Sequence, residues 1–514
     1  MRRLTVFEYN NTLRDLLDDP SSPGNAFPSE LSGNGFGNDA DSQPVGSELA
    51  NQYVLVSETV AAAVTAPARI ATLAPCAAQI GPTSDAASEA SCVRTVLDGL
   101  LPKALRRAVL AGETDSFLAL FQSVRPSSDF PTSLATVIEA VLQSPELIYK
   151  PELGTPVAGK PHLLQPTGYE MATRLSYLYW ASMPDDQLRA AAAAGSLSTP
   201  EGVRAQAERL LNHARTREVV HHFFDKLLPI SELSSLARDA VKYPDYSPQL
   251  GAFMREETQT FLEDLIFGGG PGAPPSAQTG SWPMAMTASH SFLNEELAAF
   301  YGVPGVTGAS FRWVDMSASP RRGLLTQAGV LAGPIHTNHE NPVVRGSFVV
   351  QKLLCTPIPF PTGAIASKVT PPDPESAATA RQRFTQHSKD PVCRGCHVSM
   401  DGIGYALENY DVIGQYRTQE NGVTIDASGE SPLLAAPFNG AAELGQRISE
   451  SPGAQDCFAT QWMNFGYGRT LQENEICSMQ SVQSKFKDAG YNIKELLLAL
   501  TQSDAFLYLP AVRE

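Results

Sequence analysis

Five consecutive residues restrict this chain more than any other feature: Cys393-Arg394-Gly395-Cys396-His397. Two thiols three positions apart on a helical turn share a face. So placed, they reach the two vinyl groups of one porphyrin and form thioether bonds. The residue that follows sets an imidazole nitrogen over the iron. A different spacing misplaces a sulfur or the ring, so this order is the attachment motif of a c-type haem. Two other chemistries use paired cysteines. A thioredoxin-like dithiol follows a strand in a βαβ unit, whereas RFTQHSKDPV before the motif reads as helix and then turn. Zinc requires a second ligand pair at short spacing, and the only candidates, His387 and Cys355, are irregularly placed. The sequence therefore predicts one covalent haem c, bound through Cys393 and Cys396, with His397 as the proximal iron ligand.

The sixth iron position separates an electron carrier from a haem enzyme. Met400 stands one helical turn beyond His397, on the same side of the porphyrin, and is expected to pack at the haem edge. The distal candidates are Met463 and His336, with His339 and Met479 behind them, or an open, water-bound site. Met463 follows His397 at a separation that a small cytochrome domain can close. His336 lies in a Pro/Gly-flanked loop that can approach from outside the helical core. Arg345 and Arg417 are candidates to neutralise haem propionates, with a surface ion pair as the plainer reading of each. Asp401, Glu408 and Asp411 flank the motif. A carboxylate beside the proximal imidazole would set its orientation and basicity, but solvated faces are the plainer expectation.

The 514 residues exceed what one core commonly organises and point to about three domains. Hydrophobic residues are 43% and charged residues 18%, the composition of a folded, globular protein. A formal charge of −16 argues against non-specific nucleic-acid binding. No apolar run is long enough to span a membrane. The opening MRRLTVFEYN has neither an apolar core nor a cleavage site and is not a signal peptide. Because haem c is attached outside the cytoplasm, the expectation is an exported protein whose signal is absent from this sequence.

Helical periodicity dominates. Helices are expected at about 4–17, 48–66, 89–110, 114–124, 131–143, 167–181, 184–194, 199–213, 216–228, 251–267, 293–301, 321–332 and 344–354. Residues 18–46 read as a long surface loop, and the Pro/Gly-rich 144–165 as a boundary. Strand signals are sparse, the best at about 311–315 and 422–427. His221 and His222 are adjacent, so they face different ways and do not share a metal. The fold class is mainly α. Five modules are expected: a helical module with a long polar loop at 1–66, a helical module at 67–150, a helical bundle at 151–318, a cytochrome c-like haem module at 319–435 and a helical module at 436–514.

Seven cysteines in so long a chain do not make a disulfide scaffold. Cys76 and Cys92 flank a polar loop and are expected to pair. Cys457 and Cys477 lie on two helices joined near Arg469, where an antiparallel arrangement would bring them level, and are likewise expected to pair. Buried thiols are the alternative for both. Cys355 is then left over.

Taken as a whole, the chain resembles the large secreted planctomycete-type cytochrome c proteins, which are rows of adjacent domains of unknown function. RRLTVFEYNNTLRDLL is similar to their first module, and the stretch from Cys76 through SPELIYKPELG to the second. YEMATRLSYLYWASMPDDQLRAAAAAGSL through LNEELAAFYGV resembles the third. RRGLLTQAGVLA, NPVVRGSFVVQKLLC and CRGCHVSMDGIGYALENYDVIGQYR resemble the cytochrome-type fourth. FGYGR and the closing SDAF resemble the last. One departure is Gly402, where a proline is usual after the aspartate. The resemblance implies architecture and an exported location, and carries no settled biochemical activity.

The functional expectation is an exported monohaem c-type cytochrome that passes single electrons to or from a partner protein or a small-molecule substrate. One rival is a haem peroxidase or dehydrogenase subunit with an open iron position. The other is an envelope binding protein in which haem stabilises the fold.

Overall fold

A computed structural model describes residues 2–30, 33, 35–42, 44–81, 84–274, 280–359, 373, 376–389, 391–471 and 475–511, and the backbone alone of 386–389 and 392. The fold is mainly α-helical, and the longest strand among the described residues, Lys160–Gln165, has six residues. No described helix is long and apolar enough to cross a membrane. The chain forms two compact units. One comprises Met1–Val219, Met463–Met479 and Leu498–Glu514; the other comprises Val220–Trp462 and Gln480–Leu497.

In the first unit, the helix Val6–Leu17 begins with a reciprocal cap. The Thr5 hydroxyl accepts from the Glu8 backbone N–H at 3.1 Å, and the Glu8 carboxylate accepts from the Thr5 N–H at 3.0 Å. Its buried Tyr9, Leu13 and Leu17, with Leu4 ahead of the cap, join the helices Ser47–Thr65, Ala86–Ala104 and Phe130–Leu142 in one core. Residues 18–46 are not simply a surface loop. Phe27 and Phe36 turn inward, with Phe27 lying 5.0 Å from Tyr9 and 4.6 Å from Tyr53 between ring centroids. Two aromatic anchors without a period are enough to bury part of a turn-rich stretch. The stretch 144–165 also holds strand that its sequence did not signal. It contains an antiparallel hairpin, Thr155–Val157 with Lys160–Gln165, turning at Gly159 in the left-handed region, and Leu509–Pro510 adds a third strand.

In the second unit, the helix Pro248–Phe267 packs beside the hairpin His290–Leu293/Arg312–Asp315. Phe223 stacks on Trp462 at 3.6 Å, and Trp282 on Phe458 at 4.1 Å. Ring stacking of this kind adds to the burial of large apolar surface. His221 Nε2 lies 3.0 Å from a Glu263 carboxylate oxygen. The helix Pro342–Phe348 widens into a π-turn, Val349–Leu353, and ends at Cys355, whose φ of 48° is left-handed.

The disulfides correct one expectation. Cys76 and Cys92 are bonded as predicted, but Cys457 bonds to Cys355, and Cys477 is an exposed free thiol. The reason is rotational. Cys457 is buried on a face shared with Gln461, whose amide reaches the Lys352 carbonyl at 3.3 Å, so its sulfur meets the end of the π-turn. Cys477 lies in the first turn of the helix Ile476–Asp488 and points to solvent.

Candidate functional site

The motif occupies the N-terminal half of the helix Pro391–Tyr405, hereafter the motif helix. Glycines let this helix sit close to its neighbours. A Cβ on Gly346 would strike the Met400 carbonyl oxygen, and one on Gly404 would strike that of Pro342, so the motif helix and Pro342–Phe348 touch backbone to backbone. On the other side, Gly402 lies on Glu430 and Gly429 on Gly402. The Ser431 hydroxyl donates to the Ser399 carbonyl at 2.8 Å.

Cys393 and Cys396 are half-buried, and neither is in a disulfide. Being one turn apart, they face the same way. His397 follows with its ring mostly covered, its side chain 17% exposed, and its Nδ1 stands 2.7 Å from Asp401 Oδ1. Asp401 is 4% exposed, so it is not the solvated carboxylate that spacing alone suggested. A carboxylate only accepts, so Nδ1 carries the proton, and in the neutral ring Nε2 keeps the lone pair that a metal requires. Thiols not consumed by a disulfide and an imidazole oriented through its far nitrogen form a donor set that suits a covalently bound iron porphyrin. The zinc alternative loses Cys355 to its disulfide, and the His387 side chain lies outside the described residues. Among the described residues, no group of three or more His, Cys, Asp or Glu side chains is arranged to hold a metal ion.

The chain leaving the motif helix is fastened by Arg345. Its guanidinium donates to the carbonyls of Leu331 at 3.1 Å, Leu407 at 3.2 Å and Tyr410 at 2.7 Å, and to that of Asp411. It also pairs with Glu408 at 3.4 Å. Arg345 is 1% exposed, so it is neither a surface ion pair nor placed to greet a propionate: its donors are engaged within the fold. Glu408, also expected at a solvated face, is buried, and burial pushes its carboxyl up to about 7 against the pull of Arg345 and Arg417. Arg417 bridges Glu340 at 2.9 Å, and Arg383 bridges Glu420 at 3.1 Å and Glu340 at 3.6 Å. Burial raises Glu340, but Arg417 and Arg383 outweigh it and hold the carboxyl below its usual value. Arg383, Glu340 and Glu420 carried no signal in the sequence, because long-range pairing of charges has no period.

The distal candidates are distributed unevenly. His336 is exposed, on the loop between the helices Ala328–Ala332 and Pro342–Phe348, in the same unit as His397. His339 Nδ1 lies 3.3 Å from Lys242 Nζ. Met463 is fully buried and belongs to the other unit, as does the half-buried Met479. Met400 is buried on the motif helix, where its carbonyl oxygen makes the Gly346 contact.

Five family models, each described as a protein of unknown function, match along the chain. They are DUF1587 over residues 2–66, DUF1595 over 92–152, DUF1592 over 167–303, DUF1588 over 321–420 and DUF1585 over 436–506. Cys393, Cys396, His397 and Asp401 all fall within the DUF1588 match. No curated protein and no solved structure matches the chain. Five adjacent domains of the planctomycete-type cytochrome c families thus make up most of its length.

Proposed function

We propose that this chain is an exported monohaem c-type cytochrome, with Cys393 and Cys396 as thioether attachment points and His397 as proximal ligand. The observation that carries the reading is the motif helix itself: two thiols one turn apart, neither in a disulfide, followed by an imidazole whose Nδ1 is held by a buried carboxylate. The haem would supply a single-electron Fe(III)/Fe(II) couple. The chain's own residues hold the imidazole ring at a fixed angle, cover most of it from water, and fasten the following turn through Arg345. His336 is the distal candidate in the same unit. The partner is an electron donor or acceptor protein, or a small-molecule substrate. Two disulfides support an oxidising compartment, periplasmic or extracellular, which is also where haem c is attached.

A second reading is a haem oxidoreductase with an open iron position. His336, the distal candidate in the same unit, is exposed on its loop, which leaves this reading beside the first. A low-spin spectrum unchanged by carbon monoxide or cyanide supports the carrier, and high-spin iron that reacts with peroxide supports the enzyme. The primary test is a pyridine haemochrome assay with intact-mass measurement on protein exported through a haem-maturation system. A c-type haemochrome and the added mass of one tetrapyrrole are expected. Colourless, unmodified protein from that system overturns the proposal.

A further inference from the structure

We infer that Asp401 is a positioning residue for the iron site: it locks His397 as the Nδ1–H tautomer and makes the imidazole a more electron-rich ligand. The part concerning iron rests on the haem reading above; the part concerning the tautomer stands without it.

The contact is built into secondary structure. Residues four apart on a helix are neighbours, so the motif helix brings the Asp401 carboxylate to His397 without help from any loop. The 2.7 Å separation is that of a charge-assisted hydrogen bond. Burial strengthens it: Asp401 is 4% exposed and the His397 side chain 17%, so water competes weakly for either partner. The next turn closes the site. Tyr405 is buried, the guanidinium of Arg381 lies 4.3 Å from its ring centroid, and its phenol is pushed up to about 12, first by burial and then by the charge of Asp401. A carboxylate that accepts the far N–H of a metal-bound imidazole fixes ring orientation and raises ligand basicity. A more basic axial ligand favours ferric over ferrous iron and lowers the reduction potential.

The test compares the full chain with Asp401→Asn and Asp401→Glu. Asn keeps the size and loses the charge; Glu keeps the charge at a longer reach. In haem-free protein labelled with 15N-histidine, NMR is expected to show His397 as the Nδ1–H tautomer in the wild type. The Asn variant should shift toward Nε2–H, with at least partial return in the Glu variant. In haem-loaded protein, covalent attachment should persist in all three, because the thioethers do not involve Asp401. The Asn variant should favour ferrous iron about tenfold more at a fixed potential, a rise of about 59 mV in the midpoint for one electron. The iron–histidine stretching frequency should fall with it. Circular dichroism confirms that each variant is folded, and should the Asn variant fail to fold, the Glu variant carries the comparison. An Nε2–H tautomer in the wild type overturns the inference, as do an unchanged potential and stretching frequency in a folded, haem-loaded Asn variant. A wild type that keeps the Nδ1–H tautomer but takes up no haem overturns the haem reading and, with it, the iron part of the inference.

Discussion

Gly402 on the motif helix rests directly on the backbone of Glu430, with its missing Cβ aimed at the carbonyl oxygen. In an ordinary exposed helix interior, replacing glycine by alanine gains up to about 1 kcal/mol. Here the alanine methyl has nowhere to go. Gly402→Ala is expected to lower stability by about 1–3 kcal/mol through overpacking and to displace the Ser428–Gly429 strand. Urea denaturation reads the sign, and a net gain in stability would show that the strand yields easily. The proline usual at this place in the proteins the chain resembles would need that strand to stand farther off.

The second prediction concerns cysteine pairing. Peptide mapping without reduction should recover Cys355 linked to Cys457, and Cys477 should react with iodoacetamide in the native chain. The bond closes a loop with a sequence separation of 102. Cys457→Ser should therefore cost about 2–5 kcal/mol, whereas Cys477→Ser should fall within about 0.5 kcal/mol of zero, as exposed substitutions do. Recovery of a Cys457–Cys477 peptide would reverse the assignment.

Glu257 supplies a pH signature. It is fully buried and accepts hydrogen bonds from the Ser291 hydroxyl at 2.6 Å and the Tyr301 phenol at 2.5 Å. Burial pushes its carboxyl up to about 7, partly offset by those two donors. The folded chain therefore keeps a proton that the unfolded chain releases near 4.5. Stability from this group is full below that value, declines as pH rises, and is gone above about 7, a loss of at most about 3 kcal/mol. Glu257→Gln should remove this slope. The variant's advantage over the wild type should grow from pH 5 to pH 8 in thermal denaturation, and parallel curves would refute the assignment.

Arg345 offers a fourth test. Arg345→Met leaves Glu408 without its pairing guanidinium and strips the donors from four backbone carbonyls. Removing one partner of a buried pair typically costs about 3–5 kcal/mol. Limited proteolysis should then cut first between residues 406 and 411. An unchanged cleavage pattern would mean that this turn is held by other contacts.

Much of the helical skeleton was legible because the chain repeats its apolar residues at the helical period. The helices Ser47–Thr65, Glu113–Val124 and Pro200–Leu211 lie within two residues of expectation. What escaped lacked a period. Phe27 and Phe36 are isolated in a polar stretch, and the Thr155–Gln165 hairpin is short and largely exposed, so neither alternation nor composition announces it. At the candidate site, the spacing of His397 and Asp401 was visible, but their burial was not, since it depends on which face of the motif helix meets its neighbours. Cysteine pairing failed for the same reason: position along a helix says how far, and only rotation about its axis says toward what.

The Cys355–Cys457 bond has a consequence for how damage to this protein would look. Hydrolysis of any peptide bond between those two residues, the motif helix included, would leave two polypeptides that still run as one species on a gel until a reductant is added. Nicked molecules would therefore pass as intact by size, and any group carried on Cys393 and Cys396 would stay tethered to both halves.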